Sequence, residues 1–289
     1  MDFQRIGSRG LLFTWMKPYH TNVYVIVGTR HVFIIDTFLG PEPMEALKAK
    51  LTEEGVAGNS LVIFNTHADY DHIWGNQAFK GSLIIAHESA LRRIRTQGEE
   101  GLITYQGHMM GTVELTPPNL IFRKKLTFVE DGIEFFYTPG HTGDSSSCYD
   151  SVDHVLLPGD NLEAPYPYVN LLNLKDYTQS LDEYVRLEAN VIIPGHDPPQ
   201  YDKTLLDENL EYIRAVTTAH VELGKMDQRR LRAHYPNTVR LAELYLEKAD
   251  AKKAKSYYEE ALSVLRVLEP SPENEEKRTE IEANLKKLS

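Results

Sequence analysis

A single cysteine in 289 residues leaves no internal disulfide, no all-thiolate zinc site and no iron–sulfur cluster, so a resident metal must be held by imidazole and carboxylate. Basic charge is also scarce. The chain has 31 Lys and Arg against 42 Asp and Glu, a formal net charge of -11, the wrong sign for the polycationic surface that nucleic-acid backbones select, so nucleic acid is not an expected partner. The deficit is uneven, at -10 over residues 1–200 and -1 beyond them. No run approaches the ~18 apolar residues of a membrane span. The opening MDFQRIGSRGLLFTWMKPYH lacks an uninterrupted apolar stretch of signal-peptide length. The expectation is therefore a cytoplasmic chain without membrane association. With 42% hydrophobic residues it can bury a core, which excludes general disorder. Histidine, by contrast, is plentiful at eleven.

Up to about residue 200, short β-branched and aromatic runs alternate with a few helical patterns and many Gly/Pro turns. Asn22–Val27 and His31–Thr37 read as a hairpin. Pro41–Glu54 carries Met44, Leu47 and Leu51 at helical spacing, with Pro at the start and Gly55 just past the end. Further strands are expected near Leu61–Asn65, Leu83–His87, Lys125–Val129, Ile133–Thr138, His154–Leu157 and Asn190–Ile193. The fold class is α/β or α+β. Later, Leu206, Leu210, Ile213 and Val216 mark a helix that Gly224 is expected to end, and from about Thr238 the chain is rich in Ala, Leu, Glu and Lys. The division expected is a domain over 1–224 and a small all-helical appendage over 225–289. In the latter, Leu241, Ala242, Tyr245, Ala254, Tyr258 and Ala261 follow the small/large spacing of a helix–turn–helix repeat and resemble one tetratricopeptide unit. A lone unit must pack on its own domain or on a partner, through which a homodimer or a protein partner is expected.

The chemistry lies in Asn65-Thr-His-Ala-Asp-Tyr-Asp-His-Ile-Trp-Gly-Asn76, where His67, Asp69, Asp71 and His72 crowd the loop leaving an apolar strand. Side chains of this kind repel and desolvate one another unless a cation neutralises them. Three later strands each end in Pro-Gly followed by a ligand-type residue, giving His141, Asp160 and His196; Gly allows the tight turn.

These residues resemble the metallo-β-lactamase superfamily over about residues 10–200. His67, Asp71, His72, His141, Asp160 and His196 match its His-x-His-x-Asp-His motif and later ligands one by one, and Asp69 occupies the place of the second His. His-x-Asp-x-Asp-His resembles the version in certain phosphodiester-cleaving members. The resemblance implies an αββα sandwich and two adjacent divalent metals, one on His67, Asp69 and His141, the other on Asp71, His72 and His196, with Asp160 bridging. A carboxylate at 69 hardens the first site toward iron or manganese, although zinc remains the leading assignment. A bridging hydroxide would then attack a carbonyl or phosphorus, with Asp71 as the catalytic residue that orients it and accepts its proton.

The expected function is therefore a dinuclear metallohydrolase for a small ester, thioester, lactone or phosphodiester. Two alternatives stand beside it: a di-iron oxygen or nitric-oxide reductase with flavin from a partner, suggested by Asp69, and a scaffold protein with a vestigial metal site. Tyr166 and Tyr168, on the Pro-containing loop after Asp160, are candidate substrate contacts, and residues from about Arg92 to Pro118 form a second long connection that would wall the pocket. Cys148 reads as a core residue, His87 as a cap or hydrogen-bonded neighbour, and His108 as an exposed loop residue.

Overall fold

The computed structural model describes residues 1–56 and 60–288. They form two compact units, one of Met1–Pro139, Asp144–Asn161 and Arg186–Lys203, the other of Gly140–Gly143, Leu162–Val185 and the chain from Thr204 onward.

The first unit is a sandwich of two sheets. In the seven-stranded sheet, spatial order follows chain order: β1 (Asp2–Ile6), β2 (Gly10–Trp15), β3 (Thr21–Val27), β4 (His31–Ile35), β5 (Ser60–Phe64), β6 (Leu83–His87) and β7 (Leu120–Phe122). Pairing is antiparallel from β1 to β4 and parallel from β4 to β7. The switch follows from the connections. A short turn joins β3 to β4, whereas α1 (Pro41–Glu53), the short α2 (Tyr70–Ile73) with a 3-10 turn, and α3 (Glu88–Thr104) span the parallel steps. The second sheet holds β8 (Lys125–Phe128), β9 (Ile133–Tyr137), β10 (Ser146–Asp150), β11 (Val155–Gly159) and β12 (Val191–Pro194), in the order β12-β11-β10-β9-β8.

Both faces of the central strands are buried, so their sequences are nearly continuous apolar runs. On one face Leu12, Tyr24, Ile26, Phe33, Ile35, Val62 and Phe64 meet Ile133, Phe135, Cys148, Val155 and Leu157 of the opposite sheet. Phe64 and Phe135 stack there with centroids 4.0 Å apart. On the other face Phe13, Val23, Val25, Ile34 and Ile63 pack with Met44, Leu47 and Leu51 of α1 and with Trp74, Phe79 and Ile94. Cys148 is fully buried between the sheets, where burial pushes its thiol up. Cys148→Ser would place a hydroxyl in this apolar layer and is expected to cost about 1–3 kcal/mol, read from the urea midpoint; an unchanged midpoint would contradict this packing.

The helical unit contains α4 (Leu174–Arg186, of which Arg186 falls in the first unit), α5 (Thr204–Thr217), α6 (Gln228–Glu247), α7 (Ala251–Val267) and α8 (Pro272–Lys287). α6 and α7 form a hairpin whose Leu231, Ala242, Tyr258, Ala261, Val264 and Leu265 cluster with Ile281 of α8. Asp227, Asp250 and Ser271 cap the three helices by accepting from Arg230, Lys253 and Asn274 backbone N–H groups. Among the described residues no helix is long and apolar enough to cross a membrane.

Two local expectations change. The helix bearing Leu206 to Val216 ends at Thr217, with Ala219 at φ 53°, and Gly224 lies beyond it in a 3-10 turn. α6 starts at Gln228. The buried faces of Leu231, His234 and Tyr235 sustain it although Pro236 forfeits the bond to the carbonyl four residues back. The connection from Arg92 to Pro118 begins in helix α3, which runs on to Thr104 but buries only Ala90 and Ile94 and so shows a weak periodic signal.

Candidate metal centre

β4 and β5 run parallel with Ile35 opposite Phe64, so Asp36 and the Asn65–Asn76 segment leave the sheet side by side. Asp36 takes φ 62°, unusual for a non-glycine residue. Its carboxylate accepts from the Thr66 N–H and hydroxyl, both at 2.8 Å, and lies 2.7 Å from His72 Nδ1. A carboxylate on Nδ1 fixes the proton there and turns the Nε2 lone pair inward. The same device recurs. His196 Nδ1 is 2.7 Å from the His20 carbonyl, His141 Nδ1 is 2.8 Å from the Tyr168 carbonyl, and His67 Nδ1 is 2.9 Å from the Thr66 hydroxyl. Each of the four rings thus has Nδ1 engaged, so Nε2 is the atom each would offer to a metal.

Within the first unit these atoms converge. Asp160 Oδ2 lies 3.2 Å from His196 Nε2, 3.3 Å from His72 Nε2 and 3.5 Å from His67 Nε2. Asp69 Oδ2 is 3.3 Å from His67 Nε2, and Asp71 Oδ2 is 3.4 Å from His196 Nε2. The ligand atoms of His67, Asp69 and Asp160 lie within 4.8 Å of one another, as do those of Asp71, His72 and His196. His141 stands on the 140–143 turn of the other unit, where its carbonyl accepts from Asn170 N–H. Two imidazole Nε2 atoms face each other at 3.4 Å in His72 and His196, an approach that a shared cation or added protons must relieve. The donor set fits a hard or borderline divalent metal.

The charges respond accordingly. Burial and the adjacent His72 press the His67 imidazole down, but Asp69 and Asp160 outweigh them and hold it up to about 9. Burial likewise opposes protonation of His196, yet Asp160 and Asp71 hold it up to about 10. His72 is also held well above its ordinary value against burial, by Asp160, Asp36 and Asp71. Asp160 is kept well below the carboxylate range because, against its burial, His196, His72 and His67 surround it.

The turns that present these residues are themselves tied. Gly195 N–H donates to the Gly159 carbonyl at 3.0 Å, and Asn22 Nδ2 donates to the carbonyls of Pro194 and Asp197, both at 2.8 Å. Asn65 and Asn76 exchange amide bonds at 3.0 and 2.9 Å, while Asn65 also donates to the His72 carbonyl at 3.1 Å. A Cβ on Gly195 would sit 2.1 Å from Asp160 Oδ1 and 3.1 Å from His72 Cε1. Gly195→Ala is therefore expected to lose more than half of its bound metal by elemental analysis, and full wild-type content would refute the packing argument.

Several of these residues carry no signal in a linear reading. Asn22, Asn65, Asn76 and Arg93 escape it, and His20 contributes a backbone carbonyl, which residue type does not announce. Arg93 on α3 ion-pairs with Asp69. Tyr19 donates to Tyr70 Oη at 2.9 Å, and its ring meets that of His196 edge-on with centroids 5.6 Å apart. Tyr70 stacks on Tyr105 at 4.3 Å, and His108 lies 6.0 Å from Tyr19 and 5.7 Å from Tyr70, so His108 belongs to an aromatic cluster and not to an exposed loop. Of the two tyrosines singled out by sequence, Tyr166 stacks on Tyr212 at 3.8 Å. Tyr168 is 38% exposed and touches His141 through its carbonyl. His87 caps α3 by accepting from Ser89 N–H.

Comparison with known proteins places this geometry. A human protein, metallo-beta-lactamase domain-containing protein 1, is 28% identical over 188 residues, which span 60% of this chain and 60% of that one. A metallo-beta-lactamase from Pontibacter korlensis superposes with TM-score 0.59 at 21% identity, covering 74% of this chain and 98% of the other. One from Hirschia baltica gives 0.57 at 17%, covering 73% and 96%. The sheet order and helices described above are thus those of the metallo-β-lactamase fold, carrying additional C-terminal helices. Residues 16–196 match the metallo-beta-lactamase superfamily, and the chain belongs to that superfamily.

Proposed function

We propose that this chain is a metal-dependent hydrolase of small esters, thioesters, lactones or phosphodiesters. The observation that carries the reading is the convergence of three imidazole Nε2 atoms within 3.5 Å of one buried carboxylate oxygen of Asp160. His67 and Asp69 would hold one ion and Asp71, His72 and His196 a second, with Asp160 shared. Divalent ions so held supply Lewis acidity toward a carbonyl or phosphoryl oxygen and lower the pKa of water. Zinc suits the imidazole-rich set, and Asp69 admits iron or manganese.

The protein's own part is proton transfer and placement. Asp71, 6% exposed, sits beside the His196 and Tyr19 side chains and offers its carboxylate as the proton acceptor. Asp36 holds His72 in one tautomer. Tyr19, with its hydroxyl on Tyr70 and beside Asp71, and the stacked Tyr70–Tyr105 pair offer aromatic faces to a substrate. Metal analysis of protein purified without chelator, followed by a hydrolysis panel with that metal restored, tests the reading. About two equivalents and turnover of at least one substrate class are expected; a folded, metal-loaded protein inert to all four classes would refute it. Asp69 also suits di-iron redox chemistry, which visible absorbance that bleaches on reduction would reveal.

A further inference from the structure

Asp69 introduces a negative charge where the superfamily's motif carries a neutral imidazole, in a centre that already holds Asp71 and Asp160. The fold sets a cation against it. Arg93 projects from α3, and its Nη2 ion-pairs with Asp69 Oδ1. Its Nη1 reaches Asp144 Oδ1 at 3.1 Å. Asp144 is itself buried, and its Oδ2 accepts from the Ala68 N–H at 2.8 Å, the peptide between His67 and Asp69. The guanidinium fork, whose geometry is fixed and whose charge persists at all working pH, therefore spans the carboxylate at 69 and the anchor of the loop that carries it. With Oδ1 turned to Arg93, Oδ2 faces His67 Nε2 at 3.3 Å.

We propose that Arg93 is a positioning residue for the first metal: by holding Asp69 Oδ1 it makes Asp69 a one-oxygen ligand through Oδ2 and offsets part of its charge. Asp69, Arg93 and Asp144 together carry one negative charge, so the guanidinium, shared between two carboxylates, neutralises Asp69 only in part. Without Arg93 the carboxylate is free to chelate through both oxygens and carries its full charge, which favours harder ions over zinc. With a histidine at 69, Arg93 keeps only Asp144 as its partner and no longer acts on a ligand. The bland role for Arg93, tying α3 to Asp144, predicts no such dependence. The proposal rests on the reading that these residues hold a metal.

The test is a cycle on the full-length protein: wild type, Arg93→Gln, Asp69→His and the double variant, each stripped and titrated with Zn²⁺ and with Mn²⁺ against a competing chelator. Arg93→Gln is expected to shift the Zn²⁺/Mn²⁺ affinity ratio of one equivalent toward Mn²⁺ by roughly tenfold or more. Removing Arg93 from the Asp69→His background, where it holds no ligand, should leave the ratio unchanged. Arg93→Lys, which keeps the charge without the fork, should hold the ratio near wild type, and it serves if Arg93→Gln does not fold. An unchanged ratio in Arg93→Gln, equal loss on removing Arg93 from the wild-type and Asp69→His backgrounds, or a shifted ratio in Arg93→Lys would each overturn the proposal while leaving the metal centre standing. Wild-type protein that binds neither ion would overturn both.

Discussion

Asp71→Ala is expected to keep the wild-type fold and to lose at least about a thousandfold in kcat on any substrate the wild-type enzyme turns over. Asp71 stands in the first turn of α2, outside both sheets, so truncating it opens no core cavity. Its two oxygens lie 3.4 Å from His196 Nε2 and 3.9 Å from His72 Nε2, which places the charge at the centre without contributing to the packing beneath. Asp71→Asn, which keeps shape and removes the charge, should fall equally far. Circular dichroism and melting separate a chemical loss from a folding loss. A folded Asp71→Ala retaining activity within tenfold of wild type would remove this residue from the reaction.

Stripping the metal should make the protein's stability depend on alkaline pH in a way that the loaded protein's does not. In the metal-free state the carboxylates hold His67 up to about 9 and His196 up to about 10. An unfolded histidine titrates near ~6.5. A group whose pKa is raised by folding contributes stability that is complete below the unfolded value and disappears as pH climbs through the folded value. The melting temperature of stripped protein should accordingly fall between about pH 6.5 and 10. Metal requires neutral imidazoles, so loading replaces those protons with cations and flattens the dependence. By the same linkage metal affinity rises with pH across this window, and calorimetry in buffers of different ionisation enthalpy should record proton release on loading at pH 7. A stripped protein whose melting is flat over the window, with no proton release, would contradict the charge arrangement described for Asp160.

The parts of the centre legible in sequence are those where side-chain identity and local grammar coincide. Pro-Gly before Asp160 and His196 forces a turn at a strand end whatever the rest of the chain does, and His67 to His72 crowds charges that no apolar core accepts. Cys148 is legible for the same reason, as a small apolar side chain in a strand. What sequence conceals is contact at long range. Arg93 lies 24 residues from Asp69, and Asn22 lies 172 from the Pro194 carbonyl it holds. The His20 carbonyl is invisible in principle, since any residue supplies one. α3 reads as part of an irregular connection because two glycines and a mostly exposed surface dilute its periodicity. The stacking of Tyr166 on Tyr212 is hidden in the same way, because the partner lies 46 residues further on in a helix.

The loop from Glu163 to Asn170 is held by side chains of the C-terminal helices. Buried Asn209 of α5 accepts from Glu163 N–H and donates to the carbonyls of Glu163 and Pro165. Buried Asn237 of α6 accepts from Val169 N–H and donates to the Pro167 carbonyl. Arg240 bonds Asn170, whose N–H in turn meets the His141 carbonyl. For anyone building chimeras, this sets the unit of exchange. A loop grafted from another superfamily member would arrive without its asparagine partners, and a chain cut before α6 would expose the Val169 N–H and Pro167 carbonyl that Asn237 satisfies. The 140–143 turn, the 162–173 segment and helices α5 and α6 are interchangeable only as one cassette.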